Sequence, residues 1–141
     1  MSPSAGTIFR LWFEEVWNKN DTDRITTYLA PDGIIYALDL AGGDAQGPDA
    51  FRAFFEQFME SFSDVHFTVH EVMETEDMAA GRWSAQLTHS GDGFGFPASG
   101  ETVTVTGMSM IRLKDGLVVE GWNEWDRLRM ATTCRMVAPP A

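Results

Sequence analysis

The stretch LVVEGWNEWD, residues 117–126, decides how this 141-residue chain folds. Its residues separate into two sets at a period of two, the mark of a strand with one dry face and one wet face. Val119, Gly121, Asn123 and Trp125 make one set; Val118, Glu120, Trp122, Glu124 and Asp126 make the other. Three carboxylates on one buried face would carry a large desolvation cost, so the second set faces outward. The first set then faces the interior, and its polar member is Asn123. Asp126 stands where the strand gives way to RLRM, placed to cap a helix.

Just upstream, Lys114-Asp115-Gly116 is a hairpin turn signal, and ETVTVTGMSMIRLKDG (101–116) is the strand it joins. MAAGRWSAQLTHS (78–90) and VHFTVHEVMET (65–75) alternate in the same way, so four long strands form an antiparallel meander. Before Asp64 the period is helical. Phe9, Trp12, Phe13, Val16 and Trp17 predict an amphipathic helix over about residues 5–19. Asp21 is placed to cap a short second helix carrying Ile25, Tyr28 and Leu29, which Pro31 and Gly33 end. GIIYALD (33–39) reads as a short strand. After the loop LAGGDAQG, Pro48 opens a helix whose Phe51, Phe54, Phe55, Phe58 and Phe62 form a stripe expected in the core. RLRMATTCRMV reads as a short closing helix and APPA as a loose tail. Helices followed by a meander make an α+β domain, a single one with its core at about residues 7–130. A bent sheet wrapped on such helices encloses an apolar cavity where a small molecule can sit.

Alternation also assigns the other inward residues. In residues 78–90, Trp83, Ala85, Leu87 and His89 share the inner face. In the preceding strand Val65, Phe67 and Val69 face in, while His66 and His70 face out. Those two histidines lie about 13 Å apart along a strand, too far to hold one metal ion. In residues 101–116, Val103, Val105, Gly107, Ser109 and Ile111 share parity. On the inner face Gly107 and Ser109 would leave space for a ligand and provide one hydroxyl.

Composition bounds the partners. A formal net charge of -11 argues against nucleic acid, and no basic run exists to dock an anionic membrane. A content of 44% hydrophobic and 12% aromatic residues is that of a globular chain. The one cysteine, Cys134, cannot form an internal disulfide. MSPSAGTIFRLWFEEVWNK is not a secretory leader, because Glu14 and Glu15 interrupt its apolar stretch. No apolar run approaches the length of a membrane span. A cytoplasmic protein is the expectation. Trp122 on the outer strand face points to that face as a dimer interface.

FEEVWNKNDTDRITTYLAPD, GPDAFRAFFEQF, DVHFTVHEV, THSGDGFGFPASG and IRLKDGLVVEGW, in this order and spacing, resemble the SnoaL-like polyketide cyclases. These belong to the superfamily of nuclear transport factor 2, ketosteroid isomerase and limonene epoxide hydrolase. The resemblance, over about residues 7–130, implies a cone-shaped fold, a bent antiparallel sheet wrapped on N-terminal helices around an apolar pocket, commonly in a dimer. It implies ring closure by intramolecular aldol condensation on an apolar, carbonyl-bearing substrate, without metal or organic cofactor.

The aspartate that passes protons in the cyclases falls on Asn123, and the glutamine and histidine that accompany it fall on Gly107 and Ser109. An amide can donate to an enolate oxygen but cannot exchange a proton near neutral pH. The epoxide hydrolases also need an acid at that place. His89 matches the family pattern, and Trp17, Ile35 and Phe54 match positions that line the cyclase pocket. Asp39 shares parity with Ile35, in the region where the ketosteroid isomerases keep their general base. Three readings follow: an enzyme in which His89 or Asp39 moves protons while Asn123 and Ser109 stabilise negative charge, a non-catalytic small-molecule-binding protein, and an interaction module built on the outer sheet face.

Overall fold

The computed structural model describes residues 3–137; the tail APPA lies outside the described residues. The chain runs through α1 (Ala5–Leu11), continued by a π-helical segment (Trp12–Asn18), then a 3-10 turn (Thr22–Arg24) and α2 (Ile25–Tyr28). β1 (Leu29–Tyr36), β2 (Ala45–Gln46) and α3 (Gly47–Ser61) follow. β3 (Phe62–Glu74), β4 (Met78–His89), β5 (Thr102–Lys114) and β6 (Leu117–Trp125) form the meander, and α4 (Arg127–Thr133) closes it. The strands make one sheet in the order β2-β1-β6-β5-β4-β3. The expected meander is antiparallel throughout, while β1 joins β6 in parallel, so the sheet is mixed. Among the described residues no helix is long and apolar enough to cross a membrane.

The inner face carries the core. Phe51, Phe55 and Phe58 of the α3 stripe are buried, with Phe54 half-buried beside them; Phe62, expected on the same helix, is also buried but begins β3. They meet Trp17, whose ring lies 4.9 Å from that of Phe55 and 4.9 Å from that of Phe67. On β4, Trp83, Ala85, Leu87 and His89 are all buried, as alternation requires. On β5, Val103, Val105, Gly107 and Ser109 are buried while Met108 and Met110 are exposed.

Three local readings change. Pro31 and Gly33 do not end a helix; both lie inside β1, which begins at Leu29. The β1–β6 register slips between Leu29 and Ile34, and that irregular stretch accommodates a proline that has no N–H to give the ladder. A Cβ at Gly33 would come within 2.7 Å of the Val118 carbonyl oxygen, so the close approach of the two strands needs glycine there. Asp21 caps the 3-10 turn through its backbone only, and its carboxylate lies 3.7 Å from Arg24 Nε. Val118, expected outside, is buried, because the β5–β6 register shifts between Arg112 and Leu113 and reverses the parity of β6 before Glu120. From Gly121 onward the expected parity holds.

The π-helical turn closes with Lys19 N–H donating to the Glu14 carbonyl at 3.0 Å, a five-residue step. It sets Asn18 against the edge strand β3. There the Asn18 amide accepts from Phe67 N–H at 2.7 Å and donates to the Phe67 carbonyl at 2.9 Å. Both backbone groups belong to a sheet edge that would otherwise be open for pairing. Replacing Asn18 by Ala is expected to lower stability by about 1–3 kcal/mol, read as a lower urea midpoint with an unchanged slope. An unchanged midpoint would show that water satisfies this edge equally well.

Candidate active site

Between the sheet and the helices lies a hollow of about 90 Å3. That is less than the roughly 150 Å3 of a dry cavity known to admit a benzene ring. Trp17, Ile35, Phe54, Trp83, Ser109 and Asn123 all line it, as the strand and helix patterns and the resemblance led us to expect. Leu38, Trp125 and Met130 also border it. So do Met110 and Trp122, which strand parity places on the outer face, so the outer row meets the hollow at its margin. None of the lining residues is Asp, Glu, His, Lys, Arg, Tyr or Cys.

Its polar groups form one chain across four strands. Trp83 Nε1–H on β4 donates to the Ser109 hydroxyl on β5 at 2.9 Å. That hydroxyl donates to Asn123 Oδ1 on β6 at 2.7 Å, and Asn123 Nδ2–H donates to the Tyr36 carbonyl on β1 at 3.0 Å. An indole N–H can only donate and a carbonyl can only accept, so the two ends fix the direction of every bond between them. The Asn123 amide therefore cannot be flipped. Its second N–H has no partner among the described residues.

Gly107 serves this chain in another way than expected. It leaves no space for a ligand, because a Cβ there would stand 2.4 Å from the Trp83 ring. Trp83 pairs with Gly107 across the strands, and Gly81 pairs with Ser109. Trp83 therefore lies across the bare Gly107 to reach Ser109 diagonally.

His89 and Asp39 stand outside the hollow's lining, and the structure does not bring them together with Asn123. His89 is 1% exposed at the far end of β4, its ring 5.5 Å from Phe62. Its Nδ1 accepts from Ser99 N–H at 3.2 Å and lies 2.9 Å from the Ser99 hydroxyl, so it pins the loop between β4 and β5. The Asp39 carboxylate accepts from Ala41 N–H at 2.9 Å and Gly43 N–H at 2.6 Å, closing its own loop. The groups whose pKa is displaced also lie elsewhere. Burial, then the neighbouring Glu15, pushes the Tyr28 phenol up; burial pushes the Cys134 thiol up; and the Arg82 guanidinium holds Glu71 below the usual carboxylate range. None of the three lines the hollow.

Sequence reasoning singled out neither the Tyr36 carbonyl nor Arg127. Arg127 Nε–H donates to the Asp39 carbonyl at 2.9 Å, an Nη2–H donates to the Ala37 carbonyl, and the guanidinium sits 5.1 Å from the Trp125 ring centroid. These partners are 88 and 90 residues away, beyond the reach of a local pattern.

A mixed sheet wrapped on N-terminal helices, with its apolar hollow on the inner face, is the α+β cone of the nuclear transport factor 2-like fold. The chain belongs to the SnoaL-like polyketide cyclase family, whose pattern matches residues 7–133. It is similar to IdmH of Streptomyces antibioticus, a candidate polyketide cyclase, at 25% identity and a TM-score of 0.78, over 93% of this chain and 98% of that one. AclR of Streptomyces galilaeus, a candidate hydroxylase, is 24% identical with a TM-score of 0.77, over 98% of this chain and 87% of that one. A SnoaL-like protein of Jannaschia sp. CCS1 is 22% identical with a TM-score of 0.80, over 95% of this chain and 92% of that one. Among curated proteins none matches significantly. A fold shared by a candidate cyclase and a candidate hydroxylase selects no single reaction, so the site must carry the functional argument.

Ser109→Ala tests the polar chain. It strands the Trp83 N–H and the Asn123 oxygen, and a loss of about 2–3 kcal/mol in denaturant-measured stability is expected. A stability unchanged from the parent would mean that these bonds are replaced by water.

Proposed function

We propose that this protein is a cofactor-independent cyclase- or isomerase-type enzyme acting on an apolar, carbonyl-bearing small molecule of polyketide or steroid type. In this reading it works by hydrogen-bond stabilisation rather than by proton transfer from a side chain. The observation that carries it is the oriented Asn123 amide, with one N–H uncommitted in a hollow whose other walls are apolar. A carbonyl oxygen accepts that N–H, and the bond strengthens as charge gathers on the oxygen during enolisation. Ser109 and Trp83 hold the amide so that nothing need reorganise as the charge develops. The proton lost from carbon passes to a basic atom of the substrate, since no lining side chain takes it. His89 and Asp39 are structural in this reading.

The same absence of a titratable lining group favours a second reading, a binding protein that holds such a ligand without converting it. Turnover separates the two. For the enzyme, kcat lacks the bell-shaped pH dependence of a side-chain acid–base pair between pH 5 and 8, and Asn123→Ala lowers it by about 100-fold. Ligand bound without turnover in the parent protein favours the binding protein. Asn123→Asp would set a carboxylate oxygen against the Tyr36 carbonyl, which raises the acid's pKa and favours its neutral form. Cyclase activity gained by that variant would identify a degenerate proton-transfer enzyme and overturn the hydrogen-bond mechanism.

A second copy of this chain is proposed to cover the outer sheet face. Met73 and Met108 stand 77% and 62% exposed there, and Trp122 stacks on Tyr36 with ring centroids 5.8 Å apart. Scattered apolar residues are ordinary on a surface, but Tyr36, Trp122, Met110, Ala80 and Met73 are successive register partners in one row across the sheet, with Arg112 lying over Trp122. Native mass spectrometry is expected to find two chains in the parent protein and one in Met108→Glu. A monomeric parent would remove this reading.

A further inference from the structure

The lining residues that are not fully buried mark the hollow's rim, and Leu38, Phe54 and Trp125 are among them. Leu38 belongs to the loop after β1, and Trp125 to the end of β6, where the chain turns into α4. Arg127 bridges these two walls, with its guanidinium bonded to the Ala37 and Asp39 carbonyls and resting on Trp125.

We infer that Arg127 is a specificity-determining residue that sets the size of ligand able to pass the rim; the inference rests on reading the hollow as a ligand site. As it stands, a hollow of about 90 Å3 cannot take a fused-ring substrate, so the walls must part for one to enter. The loop is built to move as one piece. Leu38 N–H donates to the Gly43 carbonyl at 2.8 Å, the Asp39 carboxylate holds Ala41 and Gly43, and Asp44 Oδ1 accepts from Ala37 N–H at 2.9 Å. All of these bonds are internal to the loop, whereas the Arg127 bonds cross to the opposite wall. Ala37 holds φ at 54°, a left-handed conformation that a non-glycine residue keeps only where its surroundings enforce it. Among the described residues Arg127 has no carboxylate partner, so its charge is spent on neutral carbonyls. Opening then separates no ion pair. A one-ring ketone also exceeds the closed hollow but parts the rim less than a four-ring one, which needs both carbonyl bonds broken.

The test compares the parent protein with Arg127→Ala and Arg127→Lys, using acetophenone as the one-ring ketone and progesterone as the four-ring ketone. Association rates are read by stopped-flow tryptophan quenching. Because the observed on-rate scales with the open fraction, Arg127→Ala is expected to speed progesterone association by about tenfold while acetophenone changes by less than about twofold. Lysine keeps the charge but cannot fork to two carbonyls or stack as a plane on Trp125, so Arg127→Lys should fall between, at about threefold. If thermal melting shows that the alanine variant does not fold, the lysine variant carries the same comparison. Progesterone rates equal in all three proteins, or a rise shared equally by acetophenone, would overturn the role given to Arg127. Neither ketone binding to the parent protein would overturn the ligand-site reading itself, and the inference with it.

Discussion

Trp83, Ser109, Asn123 and the Tyr36 carbonyl come from four adjacent strands, and the bonds among them impose one constraint on the inner face of the sheet. Each middle member is both donor and acceptor, so none can be exchanged alone without leaving a neighbour's polar group unpaired within the chain. The chain holds the register of β4, β5, β6 and β1 where their inner side chains meet. It also requires bare backbone at Gly107, because the indole must lie across that position to reach the hydroxyl. The polarity of the hollow is set by the same bonds: every polar atom in the chain is committed except one amide hydrogen.

That commitment explains why an amide suits position 123 in this chain. A carboxylate would present a lone pair to the Tyr36 carbonyl on one side, in a site too apolar to compensate it. Asparagine satisfies both neighbours while remaining neutral, at the cost of proton exchange. The chemistry open to such a site is narrow. It can polarise a carbonyl, hold a chain in a cyclising conformation and exclude water, and each of these acts through position and field rather than through titration.

Where the sequence was informative, one strand or helix supplied all the relevant contacts. The α3 stripe, the inner faces of β4 and β5, and Gly121, Asn123 and Trp125 follow from periods of 3.6 and 2, because burial of one face is imposed along the whole element. Readings failed where a neighbouring strand intervened. Val118 turned inward through a register shift between paired strands. Gly107 looked like empty space because the indole that fills it belongs to another strand. Pro31 and Gly33, breakers in a helix, are tolerated where β1 slips against β6. Trp17, Ile35 and Phe54 came from family resemblance, and the fold carries them to the same hollow. Chemical type, parity and the resemblance point to His89 and Asp39, but none of these can reveal that nearby loop groups already bond His89 Nδ1 and Asp39 Oδ1.

The small hollow and its bridged rim bear on one another. A hydrogen bond to a developing oxyanion is worth most when water is excluded, and a rim wide enough for a large substrate would admit water to the unliganded site. An arginine anchored to carbonyls resolves the conflict better than one anchored to a carboxylate. Its bonds are charge-assisted and hold the closed rim, yet releasing them leaves no unpaired anion behind. In the proposed reading, a ligand then needs both the apolar bulk to part the rim and a carbonyl to meet Asn123. Selection by size at the rim and by hydrogen bonding at the amide would be two separate tests on one molecule, made by residues on opposite sides of Trp125.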